Sequence, residues 1–144
     1  MQFETWSLAG LFTASFLSAT ILPFSSEALF VVILGTGASP VACLAVATLG
    51  NGLGGCTNYA LGRLGDPAWM KRLGMSSERL EKYESRVEKY GAYMAFFSWV
   101  PFIGDPLVVA LGFFRSPLMA TLAWLWTGKF LRYLFIWAVY AWFT

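Results

Sequence analysis

The feature that most limits what this chain can become is a succession of long apolar stretches separated by short polar breaks. The stretches cover about residues 6–22, 28–34, 41–61, 91–114 and 118–143. A helix that crosses a bilayer needs about 20 mostly apolar residues. Residues 41–61 and 118–143 meet that length. Residues 28–34 are too few to cross alone, 6–22 runs into Pro23, and 91–114 is cut by Pro101, Gly104 and Pro106. Composition agrees: 58% of the 144 residues are hydrophobic and 12% are charged, about half the charge of a soluble domain. A chain this short has too little interior to hide so much apolar surface from water. The expectation is an all-α integral membrane protein of one domain.

The same inventory excludes several chemistries. There is no histidine, which removes histidine-based metal sites, triads and proton relays. Cys43 and Cys56 stand in apolar surroundings without a CxxC pattern, as small buried hydrophobes do. No metal, cofactor or enzymatic nucleophile–base pair is expected. The formal charge of +2 includes no separate basic domain, so a nucleic-acid partner is not expected. Glu4 with no nearby lysine or arginine is not the basic start of a cleavable signal, so the first stretch is expected to be retained.

Seven of the ten basic residues fall between Arg63 and Lys89. Over residues 77–90 a helical period puts Leu80, Tyr83, Val87 and Tyr90 on one stripe. Arg79, Lys82, Arg86 and Lys89 form the adjoining stripe, and four glutamates take the remaining side. Such a helix lies in a membrane interface, or packs by its apolar stripe on the rest of the protein. Either way residues 63–90 are expected in the cytoplasm, because positive loops stay inside.

The two halves of the chain resemble each other. Pro23-Phe24-Ser25-Ser26-Glu27-Ala28-Leu29-Phe30-Val31 aligns with Pro101-Phe102-Ile103-Gly104-Asp105-Pro106-Leu107-Val108-Val109, 78 residues later. Both read Pro-Phe-x-x-acid-x-Leu-x-Val, and the same offset brings Gly50 onto Gly128. Interrupted apolar segments at matching positions are a pointer to transporter sites. The expected arrangement is an inverted repeat of two re-entrant helical hairpins, each followed by a transmembrane helix. Repeat 1 is 1–62, with a hairpin at about 6–35 and a span at about 40–62. Residues 63–90 form the amphipathic linker. Repeat 2 is 91–144, with a hairpin at about 91–115 and a span at about 118–143. Non-helical hairpin tips need protein or water around them, so the tips are expected to share a polar pocket. The competing topology has four or five full crossings.

A small set of polar residues is left in the apolar segments. Glu27 and Asp105 are expected either to cap the short helices that begin there or to serve a proton-coupled step, since a low-dielectric surround favours the neutral acid. Lys129 and Arg132 lie three apart on one face near the middle of a spanning helix, where snorkelling is hardest. They can pair with Glu27 or Asp105, or bind an anionic headgroup. Arg63 and Arg115 end apolar stretches and read as interfacial anchors or headgroup ligands. Asn51 and Asn58 lie among glycines that permit close helix packing, and they can also line the pocket. Pro23, Pro101 and Gly104 shape the hairpins.

These residues also carry a family resemblance. Residues 15–23 with Ser26-Glu27, Gly50-Asn51-x-Leu53-Gly54-Gly55-x-Thr57-Asn58, Leu61-Gly62-Arg63, Ser98-Trp99-x-Pro101-x-x-Gly104-Asp105, Gly112-x-x-Arg115 and Gly128-Lys129-x-Leu131-Arg132-Tyr133 resemble the DedA group of membrane proteins, also called the VTT-domain group, in its short branch. The resemblance implies facing re-entrant hairpins, a bacterial inner-membrane location and a role in moving lipid, with polyprenyl-phosphate carriers or phospholipid as cargo and the proton-motive force as drive. It places functional acids and arginines at Glu27, Asp105 and Arg115. Larger members carry an arginine soon after the second proline, where this chain has Gly104-Asp105. The leading expectation is a proton-linked lipid translocator of flippase or scramblase type, with lipid and protons as partners and a homodimer to bury polar helix faces. The alternatives are a small-ion or small-solute transporter on the same scaffold, and a membrane assembly factor that docks through the linker helix.

Overall fold

A computed structural model describes residues 2–20, 26–66 and 68–144. Among them every regular element is helical. The helices are α1 Gln2–Thr20, α2 Ser26–Gly35, α3 Pro40–Leu64, α4 Ala68–Arg72, α5 Ser77–Met94, α6 Gly104–Phe113 and α7 Leu118–Phe143, with a 3-10 segment Ala95–Trp99 before α6. At 1.5 Å per residue the 25 residues of α3 and the 26 of α7 each reach nearly 40 Å, more than the roughly 30 Å of a bilayer core. The ten-residue helices α2 and α6 reach about 15 Å, half of it. Pro23 lies outside the described residues.

The 78-residue offset recurs in the helix bounds. Ser26–Gly35 maps onto Gly104–Phe113, and Pro40 onto Leu118, so α2 and α6 have the same length and α3 and α7 start at matching positions. The local punctuation is also shared. Gly37 closes α2 at φ +86°, and Arg115 closes α6 at φ +57°. Gly50 and Gly128 both remove a β-carbon at a helix crossing. A Cβ at Gly50 would press on the Phe12 carbonyl and Ser15, and one at Gly128 on the Phe96 carbonyl and Ser98.

The chain divides into two compact units. One holds residues 1–54 and 129–144, the other residues 55–128, so α3 and α7 each contribute to both. In the first unit, α1 and α2 pack together around Leu11, Phe30, Ile33, Leu34, Cys43, Ala47 and Tyr133. In the second, α5, the 3-10 segment and α6 surround Tyr59, Ala95, Val108, Leu111 and Leu125. Cys43 is buried in the first cluster and Cys56 is half-buried; both are free thiols.

The exterior is far more apolar than a soluble protein's, and several polar side chains lie inside beside the apolar core. Ser15, Ser26, Thr48, Asn51, Asn58, Ser98, Ser116, Thr121 and Lys129 are buried, while Trp6, Val32, Val41, Leu61, Phe135 and Trp142 are exposed. Outward apolar residues on long helices are what a lipid surround selects.

Two segments refine the sequence reading. The linker helix runs on to Met94, and Ser76 caps its start through Arg79 N–H. Leu80, Gly91 and Ala92 are buried, Val87 joins the second core cluster, and Tyr83 stacks near Phe114 at 6.3 Å. Its apolar stripe thus meets the protein itself, and Tyr90 alone of the four stripe residues stays out of these contacts with its protein neighbours, over half exposed. Before α6 the chain makes a γ-turn, in which Ile103 N–H donates to the Pro101 carbonyl (2.8 Å) around Phe102 at φ +65°. Ile103 is the N-cap of α6 and offers no side-chain bond, and Asp105 sits in the first turn of the helix.

Candidate functional site

The first unit assembles a polar set from α2 and α7. Glu27 stands in the first turn of α2, where the helix dipole favours a carboxylate. Arg132 and Tyr133 come from α7. The Arg132 guanidinium makes an ion pair with the Glu27 carboxylate. Arg132 is 15% exposed and Glu27 31%, so the pair is largely withdrawn from its surroundings. One residue along on each helix, the Ser26 and Tyr133 hydroxyls lie 2.7 Å apart. The Tyr133 ring is fixed from the other side by Phe30, at 5.4 Å between centroids. Lys129, one turn before Tyr133, is fully buried.

α1 and α3 extend this polarity. Asn51 Nδ2 donates to the Ser15 carbonyl (3.1 Å) and to the Ser18 hydroxyl (3.2 Å). Among the described residues, Arg132 Nε, Asn51 Oδ1 and Ser15 Oγ are buried without a hydrogen-bond partner. Buried polar atoms left unpaired cost about 1–3 kcal/mol each, and they are where a ligand or water is expected.

The second unit carries a different network. Arg63 Nη1 donates to the Tyr59 hydroxyl (2.8 Å), and that hydroxyl donates to the Ser116 carbonyl. Thr121 Oγ1 donates to Ser116 Oγ (2.8 Å). Gly112 allows this closeness, since a Cβ there would strike the Tyr59 backbone. Arg63 and Arg115 are exposed, Asp105 is half-buried, Pro101 is exposed and Gly104 is buried against Ser98. Asn58 is buried. Arg79, Lys82, Arg86 and Lys89 are all exposed along α5.

The sequence singled out Glu27 and Arg132 and left open whether they meet; they do. The repeat puts no arginine at the matching place for Asp105, since the residue 78 before Arg132 is Gly54. Ser26, Tyr133, Tyr59 and Ser116 were not among the candidates. A tyrosine four residues before Arg63, or next to Arg132, is the available signal, since both tyrosines are nearly fully buried with engaged hydroxyls.

Among the described residues α3 is long and apolar enough to cross a membrane, and with the apolar exterior and the ion pair held between helices the all-helical fold is that of a helical membrane protein. The VTT-domain model matches residues 22–141. The chain belongs to that family, the DedA family of the sequence resemblance. It is 40% identical over 131 residues to the inner membrane protein YqaA of Escherichia coli (strain K12), covering 90% of this chain and 88% of that one. The Shigella flexneri protein of the same name matches equally. An uncharacterized protein of Haemophilus influenzae is 33% identical over 135 residues, covering 88% of this chain and 83% of that one. No solved structure matches.

Proposed function

We propose that this protein is an inner-membrane, proton-linked lipid translocator whose working element is the Glu27–Arg132 pair. The observation that carries the reading is a guanidinium in mid-helix that is paired on one side and has a buried, unpartnered Nε on the other. Ionised Glu27 occupies Arg132. A lipid phosphate can take the carboxylate's place without adding net negative charge to a low-dielectric site only when Glu27 takes up a proton. Proton and anionic headgroup then enter together, and loss of the proton restores the pair and expels the headgroup. Asp105, the repeat-related acid, serves as the second proton carrier, and Lys129 balances charge. The two short helices α2 and α6 are read as limbs of re-entrant hairpins, and α4 with α5 as the cytoplasmic face.

Reconstitution tests it. Lipid translocation in liposomes should be lost when Glu27→Ala and Asp105→Ala are combined. Unchanged translocation with normal expression would remove the acids from the mechanism. Solute flux without lipid movement would replace lipid with a soluble cargo. The exposed basic stripe of α5 favours one other reading, docking of a partner, in which charge reversal of Arg79, Lys82, Arg86 and Lys89 abolishes function while Glu27 variants do not.

A further inference from the structure

We infer that the crevice between α2 and α7, past the Glu27–Arg132 pair, is a binding site for one hydrocarbon chain. The register of the two helices comes first. Glu27 pairs with Arg132, and the nearest atom to a Cβ on Gly35 is the Tyr140 hydroxyl oxygen, at 3.9 Å. Glu27, Val31 and Gly35 are spaced four apart on α2, and Arg132, Ile136 and Tyr140 four apart on α7. The two helices therefore run in parallel, with these residues along one face of each. Past the ion pair the seam opens into an apolar cavity of about 320 Å³, bounded chiefly by Val31, Phe135, Ile136, Val139, Tyr140 and Phe143.

The internal repeat shows that the fold does not require this opening. At the 78-residue offset α6 stands for α2, and α3 for α7. Gly62 is the counterpart of Tyr140, and a Cβ on Gly62 would strike the carbonyl of Val109, the counterpart of Val31. Phe113 is the counterpart of Gly35, and its ring lies against Gly65. In the second unit a glycine brings the helices together and a phenylalanine covers what is left. In the first unit the large and small residues have changed places, so the matching seam stays open.

Size and medium decide what fits. From Phe135 to Phe143 the cavity follows α7 for about 12 Å, so its section is about 25 Å², the girth of one extended hydrocarbon chain. A helix of a partner or of a second copy, about 10 Å across, is too thick. Phe135 is 70% and Phe143 82% exposed, so the cavity opens outward, where a bilayer supplies chains. In lipid the gain is dispersion against fixed side chains rather than release of water, so the site selects by shape. Because the seam begins at Glu27 and Arg132, the bound chain is that of the translocated lipid. That last step rests on the translocator reading; occupancy of the cavity does not.

The test uses the purified full chain in detergent and palmitic acid that carries a photoactivatable diazirine near its chain end. Labelling of residues 135–143 should saturate. Excess hexadecanol should displace it as well as palmitate does, because the chain and not the head is recognised. Cholesterol, too broad for the section, should not. Gly35→Phe, which copies Phe113, and Val139→Trp should each lower the saturable labelling about tenfold without lowering the thermal midpoint. Glu27→Gln should leave it intact. Labelling that does not saturate, or is as strong on the exposed Phe3 and Met119, overturns the proposal, as does wild-type labelling of both filled variants. Reconstituted Gly35→Phe should also lose lipid translocation; full translocation by a variant that no longer takes the chain overturns the link to the cargo. Translocation that survives Glu27→Ala with Asp105→Ala removes the acid mechanism while saturable labelling still upholds the chain site.

Discussion

The hydroxyls of Ser26 and Tyr133 lie 2.7 Å apart, and each residue is the chain neighbour of a member of the Glu27–Arg132 pair. Two adjacent bonds therefore join α2 to α7, one between hydroxyls and one between charges. A two-point attachment fixes rotation as well as distance, which one bond alone does not.

Tyr133→Phe removes one of the two points. The Ser26 hydroxyl, 3% exposed, then loses its partner. The expected loss is about 1–2 kcal/mol of stability. Ser26→Ala added to Tyr133→Phe should cost little more than either change alone. Unfolding of the four proteins in a double-mutant cycle measures this.

Removing one charge should be worse than removing both. Arg132 with no Glu27 is a cation left among apolar helices, whereas a neutral pair leaves two polar groups that can still bond. Partial exposure of Glu27 reduces the effect, so Glu27→Ala is expected to cost about 1–3 kcal/mol. Glu27→Gln with Arg132→Gln should recover part of that. Thermal midpoints in a single detergent give the comparison.

Two glycine substitutions should move stability in opposite directions. A Cβ at Gly50 would come 2.5 Å from the Phe12 carbonyl oxygen and 3.0 Å from Ser15 Cβ. Gly50→Ala must push α3 away from α1, at about 1–3 kcal/mol. Gly10 lies within α1 with nothing near its Cβ position, so Gly10→Ala should stabilise by about 0.5–1 kcal/mol. A Gly50→Ala protein as stable as the wild type would mean that this crossing is looser than described.

Under the proposed mechanism, transport by Glu27→Gln is expected to lose its dependence on a proton gradient. The amide cannot take up or release the proton proposed to exchange for the headgroup. Flux measured with and without an imposed pH difference reads this directly; a Glu27→Gln protein that still responds to the gradient places coupling elsewhere.

Much of the helix layout was legible because proline and glycine punctuate it. Pro106 falls in the first turn of α6, where its missing N–H costs nothing, and Pro40 opens α3. Which cation meets Glu27 was not legible. Lys129 and Arg132 share one face of α7, and the choice depends on how α7 lies against α2, more than 100 residues away in sequence. Tyr59 was hidden for a similar reason, since its role is defined by the Ser116 carbonyl from a distant turn. A steady helical period puts Tyr90 on the apolar stripe of α5, where it is over half exposed. The helix instead continues to Met94 and buries Gly91 and Ala92, which are small enough to lie close to their neighbours.

The apolar exterior of the molecule has a thermodynamic consequence. Its outward Phe, Leu, Val and Trp side chains face hydrocarbon whether or not the helices are packed. Separating those helices within a membrane therefore hydrates little apolar surface. The heat-capacity change that bends the stability curve of a soluble protein should be small here. Its stability should fall almost linearly with warming, with no cold-denaturation branch at accessible temperatures.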